Sequence, residues 1–210
     1  MRVEIYGIFF YVYVPKKEMK SGSYKHVNKN SIDQQRYYTP SFIVKEANEA
    51  LNKYLPDHVS CVLDMGAGDA RLGETVLKNP RWTSVISLDT KPQWDGTGDN
   101  PRHAKIQHDA LTFLLPENLD PHHVVIGFNP PYGLRNRLAK SFIQHAYELK
   151  AAHVCWLIPQ VLVNFVKQYY HVLYVKKYHQ LKLFMFAGKT HFTPNPQWVA
   201  MVIGKRRRSP

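Results

Sequence analysis

Cysteine is nearly missing from this chain, with only Cys61 and Cys155 in 210 residues. Both stand in apolar runs, and neither has disulfide or thiolate-metal spacing, so they read as small core residues of an intracellular, reducing compartment. Eleven histidines are scattered without a thiol or carboxylate at ligand spacing, and no metal is expected. No Cys or His nucleophile constellation stands out, which argues against covalent catalysis. Long apolar runs are also lacking. The stretch 5–14 is too short to cross a bilayer and has no small-residue cleavage pattern, so it reads as a strand or packed extension rather than an anchor or signal peptide. Internal repeats are absent. Acidic residues are the scarce charge: 16 Asp and Glu face 28 Lys and Arg, for a net charge of +12. Such a surface gains affinity for polyanions by releasing their counterions, which points to nucleic acid as a partner.

The residues present suit one domain with a full core, with 44% apolar residues over this length. The most informative stretch comes after the apolar run Val124, Val125, Ile126, Gly127, Phe128. It is Asn129, Pro130, Pro131, Tyr132, Gly133. A buried strand there would end in a rigid turn, because two prolines fix φ and remove two backbone donors, leaving carbonyls that accept hydrogen bonds. An amide oxygen, a bare carbonyl and a flat ring form a receptor for a planar group carrying an NH2. A plain Pro-Gly turn is the competing reading.

Upstream, an apolar run from Cys61 ends in Asp64, Met65, Gly66, Ala67, Gly68, and helical spacing of Leu72, Val76 and Leu77 comes next. Glycines at a strand-to-helix turn allow φ > 0 and close approach of backbone to ligand. Val85, Ile86, Ser87 and Leu88 predict a second strand tipped by Asp89, 25 residues after Asp64. A carboxylate beside a glycine loop can accept from both hydroxyls of a ribose. The stretch 105–111 predicts a third strand tip with Asp109 and Ala110. Ahead of all these, Tyr38, Thr39 and Pro40 precede a predicted helix over 42–55, which Ser41 is placed to cap.

In this order the motifs resemble those of class I S-adenosylmethionine-dependent methyltransferases of the Asn-Pro-Pro-Tyr, N6-adenine type, over residues 35–204. The resemblance implies that Tyr38, Thr39 and Pro40 line the methionine end of the cofactor. It implies that Asp64, Gly66, Gly68 and Asp89 hold its body, and that Asp109 with the Ala110 N–H holds its adenine. Asn129, Pro130, Pro131 and Tyr132 would be catalytic, fixing a target amine while Tyr132 stacks on a flipped base. Two positions depart from the adenine enzymes: Met65 stands where proline is common, and Asp69 comes directly after the second glycine. Both bear on the substrate more than on the cofactor.

The expected fold is α/β, a doubly wound, mostly parallel sheet with one antiparallel strand near the C-terminus. Helical spacing covers 137–149, and a strand is predicted over 151–158. An antiparallel pair is predicted from 181–187 and 198–203, joined by a turn-rich loop. Residues 1–34 form an N-terminal extension with a lysine-rich linker at 16–30, 35–204 the methyltransferase domain, and 205–210 a basic tail. Arg135, Arg137 and Lys140 are candidate phosphate contacts; a solvated helical turn is the alternative. Three functions stay open: an adenine-N6 methyltransferase of nucleic acid, a glutamine-amide protein methyltransferase, and a non-catalytic binding subunit of a methyltransferase complex. RNA is favoured over DNA because little sequence remains after the last predicted strand to serve as a target-recognition region, unless a protein partner supplies one.

Overall fold

The computed structural model describes residues 2–5, 8–11, 37–92, 94, 100–180, 185–186 and 197–207, with side chains for 39–92, 94, 100–179 and 198–207. The predicted linker at 16–30, the turn-rich loop after residue 187 and Arg208 lie outside the described residues. Near the N-terminus two short strands, β1 (Arg2–Ile5) and β2 (Ile8–Tyr11), pair antiparallel, the second of them inside the predicted stretch 5–14. A second small ribbon joins β3 (Tyr37–Tyr38) to β10 (Met185–Phe186).

The main body is a seven-stranded sheet. In chain order its strands are β4 (Cys61–Met65), β5 (Ser84–Asp89), β6 (His103–Gln107), β7 (Val124–Phe128), β8 (His153–Pro159), β9 (Tyr170–Gln180) and β11 (Gln197–Arg206). In space they run β6-β5-β4-β7-β8-β11-β9. Every pair from β6 to β8 is parallel, and β11 alone is reversed, pairing antiparallel with β8 on one side and β9 on the other. All five residues of β4 and of β7 are buried, as expected of strands covered on both faces.

Helices α1 (Ser41–Tyr54) and α2 (Arg71–Val76) cover one face; α3 (Arg137–Glu148) and α4 (Val163–Tyr169) cover the other. Helix α1 buries Ile43, Val44, Ala47, Ala50 and Leu51, the stripe that 3.6-residue periodicity requires. It runs one residue earlier than predicted, and Ser41 does not cap it. The N-cap is Pro40, whose carbonyl accepts from the N–H groups of Ile43 and Val44. Helix α3 buries Ala139, Phe142, Ile143 and Ala146 against the opposite face.

Three other expectations change. The antiparallel partner of the final strand is β9, not 181–187; neither β9 nor α4 is apparent from the sequence pattern. Strand β6 ends at Gln107, so Asp109 lies beyond the strand, in a turn. Lys205 and Arg206, assigned to the tail, belong to β11. The Arg206 guanidinium lies 3.7 Å from the Tyr147 ring centroid and donates to the Tyr147 carbonyl, which anchors the strand's end.

After β4 the chain builds outward through β5 and β6, then crosses back to β7 on the other side of β4. The carboxyl ends of β4 and β7 therefore flank a topological switch point, where open α/β sheets form their ligand crevice.

Candidate active site

The glycine loop begins as β4 ends. The N–H groups of Gly66 and Ala67 both donate to the Leu88 carbonyl of β5 at 2.9 Å, turning the chain off the sheet. Gly66 (φ 84°), Gly68 (58°) and Ala70 (59°) are left-handed, a conformation that favours glycine. Ala70 departs from that preference and is fully buried as α2 begins. Asp89, at the tip of β5, ties the loop down: one carboxylate oxygen accepts from the Gly68 N–H at 2.9 Å, the other from the Lys91 N–H at 2.7 Å. Asp69 accepts from the Arg71 N–H at 3.2 Å and from its guanidinium at 2.8 Å, stiffening the start of α2.

Opposite the loop stands the end of β7. A Cβ built on Gly66 would lie 3.3 Å from the Pro131 ring and 3.9 Å from the Asn129 carbonyl oxygen, so the two loops touch at a position only glycine leaves open. Pro130 is buried, and Pro131 lies against the glycine loop; they set the loop's shape. Asn129 is half-buried, and its side-chain nitrogen donates to the Thr39 hydroxyl at 3.2 Å, a bond across 90 residues of sequence. That bond fixes the orientation of the amide. Just before it, Phe128 has φ 146°, backbone that is nearly reserved for glycine, while its side chain is buried in the core.

These pieces surround an open cleft whose walls include Thr39, Asp64, Gly66, Gly68, Arg71 and Asn129. Asp64 is the unusual member. The residue is only 3% exposed. Burial, and then the charges of Asp89 and Asp69, push its pKa up to about 8. A buried acid that lines a cleft becomes a receptor for a cation once it is ionised.

The structure thus joins Thr39, Asp64, Gly66, Gly68 and Asn129 around one cleft, with Asp89 holding the loop from behind. The other predicted residues are not among those that line the cleft. The Asp109 carboxylate accepts from the Leu111 N–H at 2.9 Å and so caps its own turn; Ala110 is core. Tyr132 is half-buried and packs against the hydrophobic clusters of both faces. Pro40 starts α1, and Tyr38 is a β3 residue paired with Met185. Arg135, Arg137 and Lys140 are exposed, on the turn after the motif and the first helical turn beyond it.

Val44, Arg71, Leu72 and Phe128 also line the cleft and stand outside the predicted site. Only Arg71 carries a signal in the sequence, an acid two residues ahead of a base just past the second glycine. Burial raises the Cys61 thiol to about 11 and that of Cys155 to about 12, so neither is a ready nucleophile. Among the described residues no group of three His, Cys, Asp or Glu is arranged to hold a metal, and no helix is long and apolar enough to cross a membrane.

No family model and no curated protein matches the chain. Solved structures do. A candidate RNA methyltransferase from Pyrococcus horikoshii superposes with a TM-score of 0.62 at 15% identity, covering 83% of this chain and 88% of that one. A Thermoplasma acidophilum protein gives 0.58 at 16% identity, over 85% and 95% of the two chains. The 23S rRNA methyltransferase ErmE gives 0.57 at 14% identity, over 83% and 71%. At such identities the likeness is one of fold. The architecture is the Rossmann-like methyltransferase fold, with its single reversed strand near the C-terminus.

Proposed function

We propose that this protein is an S-adenosylmethionine-dependent methyltransferase acting on the N6 amine of adenine in RNA. The observation that carries the reading is the side chain of Asn129, oriented by Thr39, beside a left-handed glycine loop at the switch point of a methyltransferase-type sheet. Two of the structures sharing this fold are described as RNA methyltransferases, one of them acting on 23S rRNA.

The residues present suit the cofactor. Gly66 and Gly68 leave room for its close approach, Asp89 holds the loop in shape through the Gly68 N–H, and buried Asp64, kept protonated by burial, would ionise to face a cationic ligand. Bound S-adenosylmethionine supplies an electrophilic methyl group on a sulfonium. The chain's task is to present the nucleophile. The lone pair of an adenine amine is delocalised into the ring, so the amine must be gripped by its hydrogens and aimed. The Asn129 side-chain oxygen and the Pro130 carbonyl would accept those two N–H groups, and half-buried Tyr132, next in the motif, would stack on the base. No strong base is needed, since the nitrogen can release its proton after the methyl arrives. Positioning and fixed dipoles carry the rate.

The test is nucleoside and peptide mass spectrometry after incubation with isotopically labelled S-adenosylmethionine and, separately, total RNA, DNA and protein extract. N6-methyladenine in RNA, absent with Asn129→Ala, is the expected product. Label on a glutamine amide would replace this reading with the protein-methyltransferase one. Label on DNA alone would change the substrate.

A further inference from the structure

The charge of this chain is unevenly placed. Residues 1–120 hold fifteen Lys and Arg and fifteen Asp and Glu, whereas 121–210 hold thirteen Lys and Arg and only Glu148 as an acid. The whole net charge therefore belongs to the half of the fold containing β7, α3, β8, α4, β9 and β11.

On that half, at the sheet end where Asn129 lies, a large aromatic side chain is left in solvent. Trp198, 59% exposed, sits opposite His179 in the β11–β9 ladder, with ring centroids 3.7 Å apart. Side chains alternate along a strand, so Trp198 shares a face with Ala200 and Val202, which pack in the cluster beneath α3 and α4. Exposed Lys177 sits opposite Ala200 on that face. Exposed Lys167 of α4 and Lys140 of α3 belong to the same layer, with the Lys140 ammonium 5.4 Å from the Phe165 ring centroid. Val161, 75% exposed, lies just past the end of β8. The register gives the separation from the cleft. Phe128 pairs with Trp156, and Val199 with Pro159, so Trp198 lies two strands across and about four residues beyond the end of β7, roughly 15 Å away.

We propose that Trp198 and His179 form a stacking platform for an unpaired base flanking the target nucleotide, with Lys140, Lys167 and Lys177 meeting the phosphates. A single strand fits better than a duplex, because an exposed ring can stack only on a base whose face is uncovered, while lysines track any phosphate backbone. The placement rests on the nucleic-acid function proposed for the cleft and adds a site that function does not contain.

The experiment is binding of the full chain to a fluorescent, unstructured 12-nucleotide RNA and to a matched duplex across a salt series, alongside methylation. Trp198→Ala is expected to weaken single-strand binding about tenfold or more and duplex binding far less, with Trp198→Phe close to wild type. Lys177→Gln should lower the salt slope by about 0.7. Thermal melting checks folding, and His179→Ala provides a second variant should Trp198→Ala not fold. Unchanged affinity in a folded Trp198→Ala, equal losses in the Ala and Phe variants, or no RNA binding by wild type would each overturn the platform. A surface serving a protein partner would give the first of these. The two readings separate cleanly: Trp198-dependent binding without N6-methyladenine leaves the platform standing and removes the adenine mechanism. Methylation indifferent to Trp198 does the reverse.

Discussion

Four residues around the cleft should each respond differently to substitution. Asp64 is an acid held protonated by burial, with a folded-state pKa of about 8. Between the ordinary carboxylate range and pH 8 the unfolded chain has already lost this proton while the folded chain keeps it. Stability should therefore fall as pH rises through that window, on the order of a few kcal/mol, and Asp64→Asn should flatten the slope in denaturant titrations. Cofactor affinity should rise toward pH 8 in wild type, because a bound cation favours the ionised acid; calorimetry on Asp64→Asn should show that rise abolished. Gly66→Ala places a methyl 3.3 Å from the Pro131 ring on a backbone at φ 84°. It should cost about 1–3 kcal/mol and cofactor affinity together, seen as a lowered melting point and weakened binding. Asn129→Ala should lower turnover by roughly 100-fold or more with little change in cofactor affinity. Thr39→Val should give a smaller loss of the same kind, because it removes the bond that aims the amide. Equal effects on binding and turnover in these last two would place them on the cofactor rather than the acceptor.

The elements explain which parts of the fold are legible in the sequence. Strands β4, β5, β7 and β8 are legible because a parallel strand covered on both faces is largely apolar, broken here only by residues such as Asp64 and Ser87. Helices α1 and α3 show their stripes. Strand β9 is not legible: it is the sheet's edge, and Lys176, Lys177 and His179 on it interrupt both alternation and hydrophobicity. The apolar stretch 181–187 therefore reads, wrongly, as the partner of the final strand. The cleft is readable as far as its glycines and carboxylates, whose chemistry is local. It is not readable where backbone geometry decides, as at Phe128, or where residues meet from a distance, as Arg71 and Leu72 meet Thr39. Gly127 shows how tight the β7–β8 pairing is. A Cβ there would fall 1.9 Å from the Cys155 carbonyl oxygen, so Gly127→Ala must push the strands apart beside Asn129. A loss of several kcal/mol in chemical denaturation is expected, or failure to fold. A mild effect would mean that β7 and β8 are spaced differently.

At the scale of the whole molecule, the proposed cofactor and substrate sites draw on opposite halves: a charge-balanced half carries the glycine loop and its acids, and a strongly basic one carries Asn129 and the elements after it. Substrate affinity should therefore fall steeply with salt while cofactor affinity barely moves, a contrast that parallel titrations would display. The position of β11 has a consequence for how the protein is made. It is the last strand of the sheet to leave the ribosome, yet it lies between two strands completed before it. Until residues 197–206 emerge, β8 presents an unpaired apolar edge and β9 has no sheet to join. A chain that stops before β11 should therefore not complete the seven-stranded sheet. A chain ended at residue 196 should accumulate as insoluble material even though every residue lining the cleft is present, which cell fractionation would reveal. Strand order thus ties solubility to the end of synthesis, since the residues that complete the sheet are translated only after those that line the cleft.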